Sequence, residues 1–300
     1  MSKFNINFVS KFPIAVVFSV LMVLSSITLF VTKGLNYGVD FRGGAEVQVI
    51  FKKEIKLADL RKAIDEQGFK SSSVQSIGGT DKKYEFLIKV NAQEKDLNSV
   101  TDKITKMLMT SFEPLEPEIE KTDIVGPKAG EQLRISGFQA MAWALLMIMI
   151  YISLRFDYKY SPGAIVALLH DVIIIIGIFV IMDKEFSLQI VGALLAVIGY
   201  SVNDTVVVYD RVREHEEKSP SKGLRGQINQ GLNETLSRTI LTSITTLIVS
   251  GVMFIMGGAG IEDFFFAICL GVLVGTYSSI FVAAPTVLFF DKFANAQKAD

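Results

Sequence analysis

The chain has 300 residues, half of them hydrophobic, with a mean hydropathy of +0.41, yet a fifth are charged, so the apolar residues must be gathered into blocks. Its 30 basic and 31 acidic residues nearly balance, which removes the polybasic signature of a nucleic-acid partner. The single cysteine, Cys269, excludes an intramolecular disulfide.

Crossing a hydrocarbon layer takes about 20 mostly apolar residues. Six runs meet that length: Ile14 to Thr32, Ile135 to Leu154, Pro162 to Met182, Phe186 to Tyr209, Leu236 to Met256 and Phe264 to Phe290. The first follows Lys3 and Lys11 but is too long for a signal-peptide core and lacks a small-residue cleavage site, so it reads as an uncleaved anchor. Pro285 predicts a kink or tilt in the last. Residues 1–34 thus hold a short N-terminus and the first helix, 35–134 a domain outside the membrane, 135–290 helices two to six with a loop at about 210–235, and 291–300 a tail.

Just after the first helix stands Asp40-Phe41-Arg42-Gly43-Gly44, whose paired glycines permit a tight link, as an ordinary turn or as a hinge. Ala45, Val47, Val49 and Phe51 then alternate with polar residues as in a half-buried strand. Leu57, Leu60 and Ile64 recur at helical spacing. A weaker strand pattern at Val74 to Ile77 stops at Gly78-Gly79, and Tyr84, Phe86, Ile88 and Val90 alternate again. Asn91 with Glu94 resembles a helix start, followed by Leu97, Val100, Ile104 and Leu108 on one face, and Glu118 to Val125 suits a closing strand. The order β-α-β-β-α-β predicts a small ferredoxin-like α+β domain between the first two helices of a polytopic α-helical membrane protein. Without histidine or cysteine, that domain offers no nitrogen or sulfur metal site and no nucleophile-base pair, so it reads as a binding or mechanical module. No cofactor and no enzymatic reaction are expected.

Ionisable side chains inside apolar runs mark candidate function, because a charge there costs at least ~2.5 kcal/mol. The third run holds His170-Asp171, the fourth Asn203-Asp204, and the fifth opens on Arg238, with Thr242 and Thr245 continuing a polar stripe. At ~1.5 Å per residue, His170, Asp171 and Asp204 lie about 8 to 13 Å deep. The bland alternatives are that Arg238 and Asp210 snorkel at helix ends, that the threonines bond their own backbone, and that the Gly271 and Gly275 pair is a packing face. Lys and Arg are concentrated in the N-terminus, the loops around Arg155 and Arg211 and the tail, whereas the short opposite loops carry only Lys184. Both termini are therefore expected in the cytoplasm and residues 35–134 outside it.

The signature at Asp40 to Gly44, His170-Asp171, the stretch from Gly199 to Arg211 and Arg238-Thr239 together resemble the SecF family of bacterial protein-export membrane proteins. The resemblance implies half of a resistance-nodulation-division transporter that pairs with SecD, associates with the SecYEG channel in the inner membrane, and uses the proton-motive force to draw out translocating preproteins. It also implies that Asp204 and Arg238, with Asn203, belong to the proton pathway. His170, Asp171 and Thr242 would support that layer, and Asp40, Gly43 and Gly44 would form the signature. Half of a proton-coupled small-molecule exporter, or a scaffold whose charges serve only assembly, are the alternatives.

Overall fold

The computed structural model describes residues 5–69, 72–77, 84–91, 97–156, 159–218 and 220–296. Helix α1 (Phe12–Lys33) carries Pro13 in its first turn, where a missing N–H costs nothing, and ends at Gly34 with φ +74°. A short turn of helix, α2 (Val39–Arg42), leads directly into an α/β unit. Its elements are β1 (Gly44–Phe51), α3 (Leu57–Glu66), β2 (Ser73–Ser76), β3 (Tyr84–Asn91), α4 (Leu97–Ser111) and β4 (Pro117–Val125). The four strands form one antiparallel sheet in the order β2-β3-β1-β4. Both weakly patterned strands are present, β2 one residue earlier than its pattern and β4 opening at Pro117. The stop expected at Gly78-Gly79 and the helix-start Glu94 lie outside the described residues.

Alternation along β1 decides which face is buried. Val47, Val49 and Phe51 pack with Ile88 beneath Leu60 and Ile64 of α3 and Ile104 and Leu108 of α4, all fully buried. Glu46, Gln48, Leu87 and Lys89 take the opposite face, which looks onto the ends of the helical bundle across a cavity of about 280 Å³.

The bundle consists of α1, α5 (Pro127–Arg155), α6 (Ser161–Ile181), α7 (Leu188–Lys218), α8 (Gly223–Met256) and a last span. Among the described residues, six helical spans are long and apolar enough to cross a membrane. Several outrun their apolar cores. Helix α5 starts at Pro127 rather than Ile135, and the described residues of the stretch expected as a loop at about 210–235 are α-helical apart from a 3-10 turn at Pro220–Lys222. Polar residues hold these extensions together. Arg211 pairs with both Glu214 and Glu234, and His215 Nε2 lies 2.9 Å from Glu234 Oε2.

The last span is α9 (Ala259–Ser278), a π-helical turn (Ser279–Ala283) and α10 (Ala284–Ala296). Pro285 offers no N–H to the carbonyl four residues back at Phe281, so the regular ladder gives way just ahead of it. Helices α6, α7 and α9 are the most enclosed. Close approach rests on small residues: a Cβ at Gly271 would overlap Val197, and one at Gly177 would overlap Ser26. Outward faces stay apolar, with Leu21 and Leu24 on α1, Trp143 and Met147 on α5, and Ile248 and Ile255 on α8 all exposed.

Two further contacts fix the ends. Asn233 of α8 accepts the N–H of Ile6 at 2.7 Å and donates to its carbonyl at 2.8 Å, while Asn229 accepts the N–H of Phe8 at 2.8 Å. At the other end the α/β unit sits on the α6–α7 and α8–α9 connections, through Lys89 to Glu185 at 3.0 Å and Gly258 close against the Ile77 carbonyl.

Candidate functional site

Small residues on α9 and α7 open the space in which two membrane-embedded carboxylates meet hydroxyls. Gly275 lets α9 lie close to Ser201 of α7, and a Cβ there would come within 3.1 Å of the Ser201 side chain. Asp171 of α6 occupies this gap at 1% exposure. Its Oδ2 accepts the hydroxyls of Ser201 at 2.6 Å and Ser278 at 2.8 Å, and its Oδ1 lies 3.0 Å from His170 Nδ1. His170 stacks against Tyr277, whose hydroxyl donates to the Ala15 carbonyl at 2.9 Å.

Asp204 lies on α7 nearer the terminal end and is half-buried. Oδ1 accepts the Thr239 hydroxyl of α8 and Oδ2 the Ser279 hydroxyl of the π-turn, each at 2.6 Å. Both carboxylates are therefore held by hydroxyls. A hydroxyl donates to an ionised carboxylate and can accept from a protonated one, so the cradle offers hydrogen bonds to either form.

Arg238, which the resemblance implies for the proton pathway together with Asp204, is not bonded to it. The guanidinium is exposed on α8, and among the described residues no ion pair joins the two. One residue of helical rotation explains this: Thr239 faces α7, so its neighbour Arg238 points away. Thr242 and Thr245 share that exposed side, and each hydroxyl donates to its own helix, at Arg238 and Leu241 respectively. Asn203 is exposed on α7. The structure thus brings together Asp171, His170 and Asp204 with Thr239, Ser201, Ser278 and Ser279, and leaves Arg238, Thr242 and Asn203 on the outer surface of this chain. A serine within an apolar run carries no distinct signal, and only its spacing from the carboxylate helices would have marked it.

The signature forms a packed joint. Gly43 has φ +83°, and a Cβ there would come within 2.7 Å of Pro127 at the start of α5. Gly44 opens β1, and Gly130 of α5 lies close to the Gly43 amide and the Asp40 carbonyl. Asp40 Oδ2 accepts the N–H of Leu188 at 3.2 Å, and Phe41 is buried against Phe186.

Charge is concentrated where the domain meets the bundle. Lys89 is buried against its own charge, but Glu185 and then Glu46 outweigh that and hold its pKa above the ordinary lysine value. Glu46 is pushed up by burial, Lys89 opposing and Asp40 adding to the effect. Lys184 pairs with Asp263 and Glu262. Lys89, Lys184, Glu185, Glu262 and Asp263 border a polar cavity of about 660 Å³ between the sheet and the two connections, while Glu46 and Asp40 line the smaller one. Among the described residues, no group of three histidine, cysteine or acidic side chains has the geometry to hold a metal.

The same chain aligns with known proteins over nearly its whole length. A profile for "Protein export membrane protein SecD/SecF, C-terminal" matches residues 104–292, and one for the "SecD/SecF GG Motif" matches residues 28–54, which contain Gly43 and Gly44. The protein translocase subunit SecF of Thermodesulfovibrio yellowstonii is 42% identical over 298 residues, covering 97% of each chain. That of Rhodothermus marinus is 40% identical over 290 residues, 95% of this chain and 92% of its own. The crystal structure of SecDF, a translocon-associated membrane protein from Thermus thermophilus, superimposes with a TM-score of 0.82 at 31% identity. It covers 97% of this chain, which in turn spans 39% of the SecDF chain. With six apolar spans and these relatives, the chain is a multi-pass membrane protein, and it belongs to the SecD/SecF family of protein export membrane proteins.

Proposed function

We propose that this chain is a non-enzymatic subunit that assists protein translocation across the bacterial inner membrane by coupling it to the proton-motive force. The observation that carries the reading is Asp204, a carboxylate within an apolar bundle held by Thr239 and Ser279 hydroxyls that suit both protonation states. The relatives are named protein translocase subunits, which favours a polypeptide client over a small molecule.

A SecD-like half supplies the missing side of the site. The outer face of α8 presents Arg238, Thr242 and Thr245 amid exposed Ile244 and Ile248, a polar strip that hydrocarbon solvates poorly and a second bundle would cover. In that assembly Arg238 and Asn203 face the partner, Arg238 bringing a positive charge and Asn203 a neutral hydrogen-bonding amide. The α/β unit, read as ferredoxin-like from its strand order, lies outside the cytoplasm with both termini inside, where it meets the preprotein emerging from a SecYEG-type channel. Its seat on the α6–α7 and α8–α9 connections gives helix movement a direct mechanical path to that domain.

Energetics set the scale. One charge crossing the membrane contributes about 2.3 kcal/mol per 100 mV, enough to bias a two-state element but not to move a long chain in one step, so cycles repeat. The test is export into energised and uncoupled vesicles containing the complex of this chain with its partner half. Asp204→Asn is expected to assemble normally and lose the response to the gradient. A parental response from that variant would reduce Asp204 to a structural role.

A further inference from the structure

Ser278 and Ser279 are consecutive, yet they bond different carboxylates on different helices. Ser278 donates to Asp171 Oδ2 on α6 at 2.8 Å, and Ser279 to Asp204 Oδ2 on α7 at 2.6 Å. Both serines are fully buried, and they straddle the junction where α9 becomes the π-turn. Each hydroxyl also has a second acceptor on its own helix: the Gly275 carbonyl at 3.1 Å for Ser278 and the Thr276 carbonyl at 3.0 Å for Ser279. A hydroxyl has one hydrogen, so at any moment it serves the carboxylate or the helix.

We infer that Ser278 and Ser279 are positioning residues that couple the protonation of Asp171 to that of Asp204 through the π-turn. When Asp171 is ionised, the Ser278 hydrogen points to Oδ2. When Asp171 takes a proton, its new O–H donates to the Ser278 oxygen, and the Ser278 hydrogen turns to the Gly275 carbonyl. That carbonyl already accepts the backbone N–H of Ser279. The carbonyl has a lone pair for each donor, and sharing it weakens the bond that places Ser279 and with it the donor to Asp204. Reciprocity of coupling requires that a change of protonation at Asp204 act on Asp171 by the same free energy. A π-turn suits this role because its ladder is already irregular and shifts at low cost.

Among the described residues, the other titratable or charged groups around the pair touch one acid alone, have separate partners or face away. His170 on α6 bonds Asp171 through Nδ1 while its buried Nε2 has no partner, Tyr200 on α7 donates to Ser243 of α8, Tyr277 on α9 donates to the Ala15 carbonyl of α1, and Arg238 on α8 points outward. The serines are thus the direct bonded bridge between the two acids.

This coupling rests on the proton-exchanging role proposed for Asp204, and two measurements separate the two ideas. Infrared titration of the reconstituted complex follows the Asp204 carboxyl band, assigned by its loss in Asp204→Asn. Ser279→Ala removes a donor to the ionised form and is expected to move that band's midpoint by about one pH unit to higher pH. Ser278→Ala touches no atom of Asp204, yet it is expected to move the same midpoint by a smaller amount, with Ser278→Thr restoring the parental value. An Asp204 midpoint that responds to Ser279→Ala but not to Ser278→Ala overturns the coupling and leaves the proton-driven reading intact. A gradient response that survives Asp204→Asn in the vesicle assay overturns that reading and the coupling with it.

Discussion

The carboxylate of Asp40 accepts the backbone N–H of Leu188 at 3.2 Å, so the segment following the first membrane helix caps the helix that carries Asp204. A negative side chain at a helix N-terminus satisfies an orphan donor and complements the dipole. Asp40→Ala is expected to cost about 1 kcal/mol, and Asp40→Asn less, because the amide oxygen still accepts. Thermal unfolding of the purified complex checks the order. Equal losses from the two variants would place the contribution of Asp40 elsewhere.

Gly43→Ala should be the most damaging single methyl in the signature. The left-handed torsion costs about 1–2 kcal/mol for a side chain, and the added carbon would also collide with the Pro127 backbone. Gly34→Ala shares only the torsional cost, since nothing lies near its added carbon. Protease sensitivity of the α/β unit in membranes should rise sharply for the first and little for the second.

The seat of the α/β unit should weaken as pH rises from acid towards neutrality. Burial raises Glu46 above its ordinary 4.5, so the folded seat holds its proton more tightly than the unfolded chain does. Stability from such a group is complete below 4.5 and is lost as pH climbs through the raised value. Glu46→Gln should flatten that slope in hydrogen exchange of β1 and β3. Lys89→Met works oppositely, leaving Glu185 half-buried without its 3.0 Å partner and loosening the seat at neutral pH.

Pro285→Ala returns an N–H to the carbonyl of Phe281 and favours a regular helix through Ser279–Ala283. Straightening rotates Ser278 and Ser279 relative to α6 and α7. Thermal stability should hold or rise while the gradient-dependent part of export falls, and a variant with unchanged export would show that the π-turn is dispensable.

What was legible in the sequence follows from how each signal is carried. Apolar runs located all six spans, and the alternation through Val47, Val49 and Phe51 gave the first strand, because both patterns are local. The extensions of α7 and α8 escaped because Arg211, Glu214 and Glu234 end an apolar count while continuing a helix through their cross-helix pairs. Asp171 and Asp204 stood out as charges in hydrocarbon. Their partners did not, since Ser201, Ser278 and Ser279 gain meaning only once three helices are brought together. Arg238 precedes Thr239, which faces Asp204, and a difference of one residue around a helix is something hydropathy does not resolve.

The bonds from Asn229 and Asn233 to the backbone of Phe8 and Ile6 join positions more than two hundred residues apart. Ribosomes make the segment of Ile6 and Phe8 long before the asparagines of α8. Until α8 is made, therefore, those backbone groups lack these two side chains, and α1 meets α6 and then Tyr277, which lies 2.9 Å from the Ser19 hydroxyl. The closing of that N-terminal clasp is a late event in biogenesis, and a chain truncated before α8 would be inserted but left unlatched.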